Sequence, residues 1–213
     1  MTPETTKRLD NFTDAAFAFA VTLMVVGAGG SASDSATLES AVAAIPSFAI
    51  GFSIITLFWF SHVQWRNLRG VGDARSLLLT LLLVFMVLIY IVPLRSMATS
   101  FAAFLTGDDD MYRGSLGQLF TIYGMGFTAM SVVTALLFRD ARRNDALNDE
   151  KRRQAAGQMW IWVILATTGT LSTILAMIPG PHIFAPFLYA TLPLTIGLFS
   201  WRWRWVPRPQ SDA

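Results

Sequence analysis

The chain has 213 residues, of which 54% are hydrophobic and 14% are charged, and its formal net charge is +2. A soluble domain of this size carries about 25% charged residues, so the composition favours a membrane protein. The small net charge does not suggest a nucleic-acid partner, and the absence of cysteine excludes disulfides, thiolate metal sites and cysteine nucleophiles.

The chain contains six apolar segments, each close to the length of about 20 residues that a membrane-spanning helix requires. None shows the strict alternation of a barrel strand, so each is predicted to cross the bilayer as an α-helix. The sequence therefore predicts an all-α integral membrane protein. Residues 1–213 form a single six-helix transmembrane domain, with spans at about 12–29, 45–65, 77–98, 116–138, 159–178 and 183–201.

The lysines and arginines predict the orientation of these spans. All but two of the 16 lie before span 1, between spans 2 and 3, between spans 4 and 5, or after span 6. The two exceptions are Arg95 and Arg113. Because positive charge accumulates in cytoplasmic loops, both termini are predicted to be cytoplasmic.

The C-terminal end of span 6 alternates indoles with cations, in the run Trp201-Arg202-Trp203-Arg204-Trp205. Indoles prefer the headgroup layer of a bilayer, and arginines prefer anionic lipid on the cytoplasmic side. The run is therefore predicted to anchor the chain at the membrane interface, and not to bind nucleic acid.

Two ionisable residues lie inside the predicted spans and are functional candidates for that reason, since such groups are costly in a bilayer. Asp14 lies one turn inside span 1, and His62 lies near the inner end of span 2. Both are close to the cytoplasmic interface, so we expect them to pair or to share a network, with Trp59 covering them from lipid. The alternative is that each reaches interfacial water separately.

Span 1 has one apolar stripe, because side chains spaced by four and three residues share a helix face: Phe12, Ala16, Phe19, Leu23 and Val26. At about 100° per residue, Asp14 lies roughly 140° around the helix from Phe19, on another face. Such a stripe ordinarily contacts the protein core or lipid. The alternative interpretation is a pore wall in which a hydrophobic constriction gates by dewetting.

The start of span 1 carries the motif Arg8-Leu9-Asp10-Asn11-Phe12-Thr13-Asp14. It resembles the Arg-x-x-x-Phe-Ser-Asp signature of the endosomal–lysosomal potassium channel family (the transmembrane protein 175 family), in its prokaryotic six-helix branch. Trp59 and His62 resemble the family's tryptophan and histidine at the inner end of helix 2, and Pro93 late in span 3 also agrees. The resemblance covers the whole chain in architecture and is specific over residues 8–25 and 59–62.

This resemblance implies a potassium-preferring cation channel in the plasma membrane of a prokaryote. Four first helices of a homotetramer would line a central pore, with a hydrophobic constriction instead of a carbonyl selectivity filter. Phe19, where the family has isoleucine or leucine, would be the narrowest point. The implied pore lining is Phe19, Thr22, Leu23 and Val26, and the implied structural network near the cytoplasmic side is Arg8, Phe12, Thr13, Asp14, Trp59 and His62.

The same resemblance implies no cofactor and no bound metal, with potassium as the permeant ion. The implied partners are further copies of the chain, the lipid bilayer and monovalent cations. Apart from any family, the loop Ser31–Ser40 carries Asp34 and Glu39 and no cation, so an outer mouth there is predicted to be mildly negative.

Two other functions are weighed against the channel. An intramembrane enzyme is disfavoured, because the sequence has only two histidines and shows neither a metal-ligand motif nor a nucleophile motif. A proton-coupled secondary transporter that uses Asp14 and His62 as a relay is the stronger alternative. Transporters usually show internal repeats around a midplane site, and no convincing repeat is present.

Overall fold

The computed structural model describes residues 2–28, 42, 44–106, 116–144, 147–178, 180 and 184–204. This part of the chain forms six longer helices and one short helix, and it contains no strand. The helices, numbered in chain order, are α1 (Pro3–Ala28), α2 (Ile45–Arg69), α3 (Ala74–Thr106), α4 (Leu116–Arg142), α5 (Asp149–Met177), α6 (Phe187–Ala190) and α7 (Leu192–Arg204).

Four of the six predicted spans are long and apolar enough to cross a membrane within the described residues: Ile45–Arg69, Ala74–Ser100, Gln118–Arg142 and Asp149–Met177. The first predicted span, 12–29, lies in α1 as far as Ala28, and α1 begins earlier, at Pro3. The helices of spans 4 and 5 both continue past their predicted limits, since α4 continues to Arg142 and α5 begins at Asp149.

The sixth predicted span, 183–201, corresponds to two consecutive helices in the residues that the structure describes. The helix is interrupted at Thr191, between the short α6 and the longer α7. The backbone N–H of Thr191 bonds to Leu188 O, three residues back, at 3.2 Å. Pro193, in the first turn of α7, has no N–H to donate to Tyr189 and therefore cannot continue the ladder of the preceding turn.

One end of the helix bundle collects the basic residues; we call it the basic end. It contains the N-termini of α1, α3 and α5 and the C-termini of α2, α4 and α7. Arg66 of α2 reaches Asp10 of α1, and Arg153 of α5 donates to the backbone carbonyl of Trp203 in α7 at 2.5 Å. The clustering agrees with the sequence-based prediction that these segments share one side of the membrane.

Helices α4 and α5 form the most extensive helix pair, and small residues allow their close approach. Thr173 of α5 lies against Gly124 of α4, where a Cβ would collide with its hydroxyl. In the same way, Thr128 and Phe127 of α4 lie against Gly169 of α5. Glycine at such positions lets two helix backbones pack tightly, which is a common way to associate helices in a membrane.

A buried carboxylate joins three helices at the basic end. Asp140, near the C-terminus of α4, is 6% exposed. Its Oδ2 accepts from Nε of Arg69, at the end of α2, at 2.8 Å, and from the hydroxyl of Ser76, at the start of α3, at 3.0 Å. Buried charges are stable when they are paired and hydrogen-bonded in this way.

The turn between α2 and α3 supports this cluster. Gly70 ends α2 with φ of 68°, a left-handed conformation that glycine adopts without steric cost. Asp73 then accepts from the backbone N–H of Ser76 at 2.8 Å. That hydrogen bond holds the pKa of Asp73 below its ordinary value, so the carboxylate stays charged at the start of α3.

We predict that Asp140→Ala lowers the free energy of unfolding by about 3 kcal/mol, because it leaves the guanidinium of Arg69 buried without its closest partner. Thermal or denaturant unfolding in mild detergent would measure the change. Asp149→Ala is the matched control, since Asp149 is an exposed carboxylate at the same end and its loss should cost less than about 1 kcal/mol. Equal losses in the two variants would contradict a stabilising role for the cluster.

Candidate functional site: the two faces of helix α1

Helix α1 packs one face against α2 and α3. The buried side chains of this face recur at helical spacing: Leu9, Thr13, Phe17, Ala20 and Met24. Thr13 is fully buried and donates its hydroxyl to Leu9 O at 2.8 Å, so its polar group is satisfied within the helix. Gly51 of α2 leaves space for the methyl end of Met24 directly against the α2 backbone. The packed face is therefore close-fitting over most of the helix.

Two acids on α1 bind partners on α2. Asp14 Oδ1 accepts from the indole Nε1 of Trp59 at 2.9 Å. One turn earlier, Asp10 Oδ1 accepts from Arg66 Nε at 2.7 Å, and the side chains of this ion pair are 30% and 12% exposed, respectively. A hydrogen bond to a charged group is stronger than one between neutral groups, so both contacts oppose rotation of α1 against α2.

Asp14 and His62, which we expected to pair or to share a network, do not bond to each other but to different partners. His62 is 2% exposed, and its Nε2 shares a hydrogen bond of 3.3 Å with the hydroxyl of Thr80 on α3. Its ring also lies 5.1 Å from the ring of Trp65. The imidazole is thus turned towards α3, while Trp59, one turn earlier on α2, is the residue that reaches Asp14.

The opposite face of α1 is exposed on the single chain. Phe12 is 53% exposed and Phe19 is 56% exposed, and these two rings lie seven residues apart on one side of the helix. Thr22 is also exposed, and its hydroxyl donates to Ala18 O at 3.0 Å. Leu23 lies at the edge of this face and packs partly against the core. Val26 continues α1, but its side chain lies outside the described part of the structure.

The residues of the motif at the start of α1 divide between the two faces. Thr13 is buried and Asp14 reaches Trp59, whereas Arg8 and Phe12 are exposed and do not join that contact. The network implied by the resemblance is therefore assembled only in part within one chain. The loop Ser31–Ser40, with its predicted negative outer mouth, lies outside the described residues.

Sequence reasoning missed Asp10, Arg66 and Thr80. Asp10 and Asp14 are four residues apart and therefore share a helix side, which was an available signal for a second contact with α2. Thr80 gave no signal, because a threonine in an apolar helix ordinarily bonds to its own backbone. Among the described residues, no group of three His, Asp or Glu side chains is arranged to hold a metal ion.

The helix bundle defines a polytopic α-helical membrane protein. Its helix α1 has one face packed against the bundle and one face exposed on the single chain. A family model described as "Endosomal/lysosomal potassium channel TMEM175" matches residues 8–93, which contain most of α1, all of α2 and the first part of α3. This part of the chain is therefore similar to that family. The match includes every residue of the motif and of the α1–α2 contacts described above.

Two known proteins are similar to the chain. A potassium channel of Marivirga tractuosa is 29% identical over 156 residues, which cover 67% of this chain and 62% of that relative's length. The fold matches a crystal structure of a variant of the potassium channel MtTMEM175 in complex with a nanobody–MBP fusion protein. That match has a TM-score of 0.78 and 23% identity and covers 91% of each chain. The family and both similar proteins are described as potassium channels, not as enzymes.

We predict that Trp59→Phe lowers the free energy of unfolding by about 1 kcal/mol, because it removes the N–H that bonds Asp14 and keeps an aromatic ring. Denaturant unfolding in mild detergent would measure it, with the exposed Trp160 changed to Phe as the control. A double-mutant cycle of Trp59→Phe with Asp14→Asn should show coupling of about 1 kcal/mol. A cycle of Asp14→Asn with His62→Gln should show almost no coupling energy. A larger coupling of Asp14 with His62 than with Trp59 would contradict the structure.

Proposed function

We propose that the chain is a potassium-preferring cation channel. In this proposal four copies assemble as a homotetramer in the plasma membrane of a prokaryote, with both termini cytoplasmic. Their α1 helices surround one axis, and a hydrophobic constriction on α1 restricts the pore in place of a carbonyl filter. Monovalent cations, potassium above all, are the permeant ligands, and no cofactor takes part.

The observation that carries the proposal is the uncovered face of α1. Phe12 and Phe19 are more than half exposed, while the other face of the same helix is packed and bonded to α2. The family description and the names of the similar proteins support potassium as the ion. A helix fixed in rotation by two polar contacts presents the same side chains in every copy, which a symmetric pore requires.

Phe19 is the proposed constriction. Rings from four copies around one axis form an apolar collar, and such a collar excludes water and ions until it widens. The negative faces of aromatic rings also attract a partly dehydrated cation. A phenylalanine collar therefore combines a dewetting barrier with a weak preference for cations over anions.

Thr22 lies one turn beyond Phe19 and about 60° around the helix from it. Its hydroxyl proton is used in the bond to Ala18 O, so the oxygen lone pairs are left to face outward. Four such oxygens could replace part of the water shell of a cation that has passed the collar. Leu23 and Val26 complete the proposed lining, with Leu23 at the edge of the packed face.

A proton-coupled transporter that uses Asp14 and His62 as a relay receives no support from the geometry. Each group bonds to a different partner, Trp59 and Thr80 respectively, on different helices. A relay requires the two groups to share a proton path. We therefore retain the channel as the proposed function.

We predict that Phe19→Ala raises cation flux and lowers the ratio of potassium to sodium flux, because it removes the apolar collar. Purified protein in liposomes under a potassium gradient would measure both quantities. Phe85→Ala is the matched control, since Phe85 on α3 is 60% exposed but lies on another helix, so flux should be unchanged. The absence of electrogenic flux from folded wild-type protein would falsify the channel itself, whereas equal effects of both variants would reject only the constriction.

We predict that single cysteines report the tetramer, because the natural chain has none. Phe19→Cys places one thiol per copy near the proposed axis, so mild oxidation should produce disulfide-linked dimers on a denaturing gel. Phe85→Cys, on α3, should remain monomeric under the same conditions. Light scattering in mild detergent should give a mass of four chains. A monomeric mass, with no cross-linking at position 19, contradicts a pore formed by α1.

A further inference from the structure

A groove of about 450 Å³ lies between α4 and α5, away from α1. Its walls are mostly apolar and come from both helices, including Val132, Ala135, Val163 and Ala166. The α4 residues that line it extend from Val132 to Arg142, about 15 Å along the helix axis. The groove therefore extends along the helix axis, in the direction of a lipid chain.

The two cations of the groove lie together at its basic end. Arg139 and Arg142 are both exposed, stand three residues apart on α4 and so share a helix face. No ion pair joins either of them to a carboxylate within the described residues. The carboxylate between them in sequence, Asp140, points into the bundle and binds Arg69. The groove thus combines a cationic end with an apolar remainder.

Two threonines line the part of the groove farthest from its basic end, and they leave that part apolar. Thr167 donates its hydroxyl to Val163 O at 2.8 Å, and Thr170 donates to Ala166 O at 2.9 Å. Because both protons are used within α5, these residues offer the groove their methyl groups and no free donor. A polar solute would have few partners there, whereas an acyl chain requires none.

We propose that this groove binds one anionic phospholipid from the leaflet at the basic end. The phosphate lies at Arg139 and Arg142, and one acyl chain lies along Val132, Val163 and Ala166. Guanidinium groups bind phosphate oxygens through paired hydrogen bonds, and basic pockets between membrane helices are suited to anionic headgroups. The proposal concerns the scaffold helices and does not depend on ion conduction by α1.

The test is native mass spectrometry of the purified protein in mild detergent. Dioleoylphosphatidylglycerol is the anionic probe, and dioleoylphosphatidylcholine is the zwitterionic probe with the same chains. We expect the wild type to retain one phosphatidylglycerol per chain at concentrations where phosphatidylcholine is lost. Arg139→Gln/Arg142→Gln should weaken this binding about 25-fold, at about fivefold for each arginine near an anionic lipid.

Three further variants separate binding at the groove from a general effect of surface charge. Arg75→Gln/Arg202→Gln removes two exposed arginines of the same end outside the groove, and it should leave phosphatidylglycerol binding within about twofold. Thr167→Trp fills the apolar part without changing charge, and it should also displace the lipid. Arg139→Lys/Arg142→Lys keeps both cations and should retain most of the binding, because the positive charge at these two positions attracts the headgroup.

Three results would overturn the proposal. Equal weakening by the two Arg→Gln double variants would mean that only the surface charge attracts the lipid. Unchanged binding in Thr167→Trp would mean that no acyl chain enters the groove. An oligomer that dissociates in Thr167→Trp, with no dependence on phosphatidylglycerol, would mean that a second copy of the chain covers the groove.

Discussion

The rotation of α1 about its own axis is the constraint on which the rest of the functional surface depends. An ionised acid in or near a bilayer requires a partner, and α1 carries two such acids, four residues apart. Asp14 is bonded to Trp59 and Asp10 to Arg66, both on α2. Turning α1 by half a turn would break both contacts. The phenylalanine face consequently stays uncovered, because the acids determine which side of α1 meets the scaffold.

The last turns of α2 connect this helix to the remainder of the bundle. Arg66 binds Asp10 of α1, and three residues later Arg69 binds Asp140 of α4. The two guanidinium groups make the end of α2 a shared support for α1 and for the tightly packed pair α4 and α5. A displacement of α2 along its axis would therefore strain both ion pairs at once. Arg139 and Arg142 flank Asp140 in sequence, which places the proposed lipid headgroup beside the same support.

The sequence predicted the features that depend on local composition. Apolar length located four membrane-spanning helices, and the distribution of arginines agrees with the segments that meet at the basic end. The interruption at Thr191 was missed, although Pro193 is visible in the sequence. Apolar length, which predicted the span, gives no sign of the backbone hydrogen bond that Pro193 cannot make. Periodicity also separated the stripe of Phe19 from the face of Asp14, which the structure places on different sides of α1.

Partner choice could not be read from the sequence, because it depends on how each helix is rotated against its neighbours. Trp59 and His62 are both close to Asp14 along the membrane normal, and charge alone favoured the imidazole. The rotation of α2 turns His62 towards Thr80 of α3 instead. Arg66 was read only as an orienting charge, although its Nε–H reaches Asp10 at 2.7 Å.

The separation of these partners along the chain has a consequence for biosynthesis. Trp59 follows Asp14 by 45 residues, and Arg66 follows Asp10 by 56. At about 5–20 residues per second, Asp14 waits roughly 2–9 seconds after its own synthesis before Trp59 is made. The two contacts that fix the rotation of α1 can therefore form only after α2 has been synthesised, and the orientation of the proposed pore face depends on a helix that follows it in the chain.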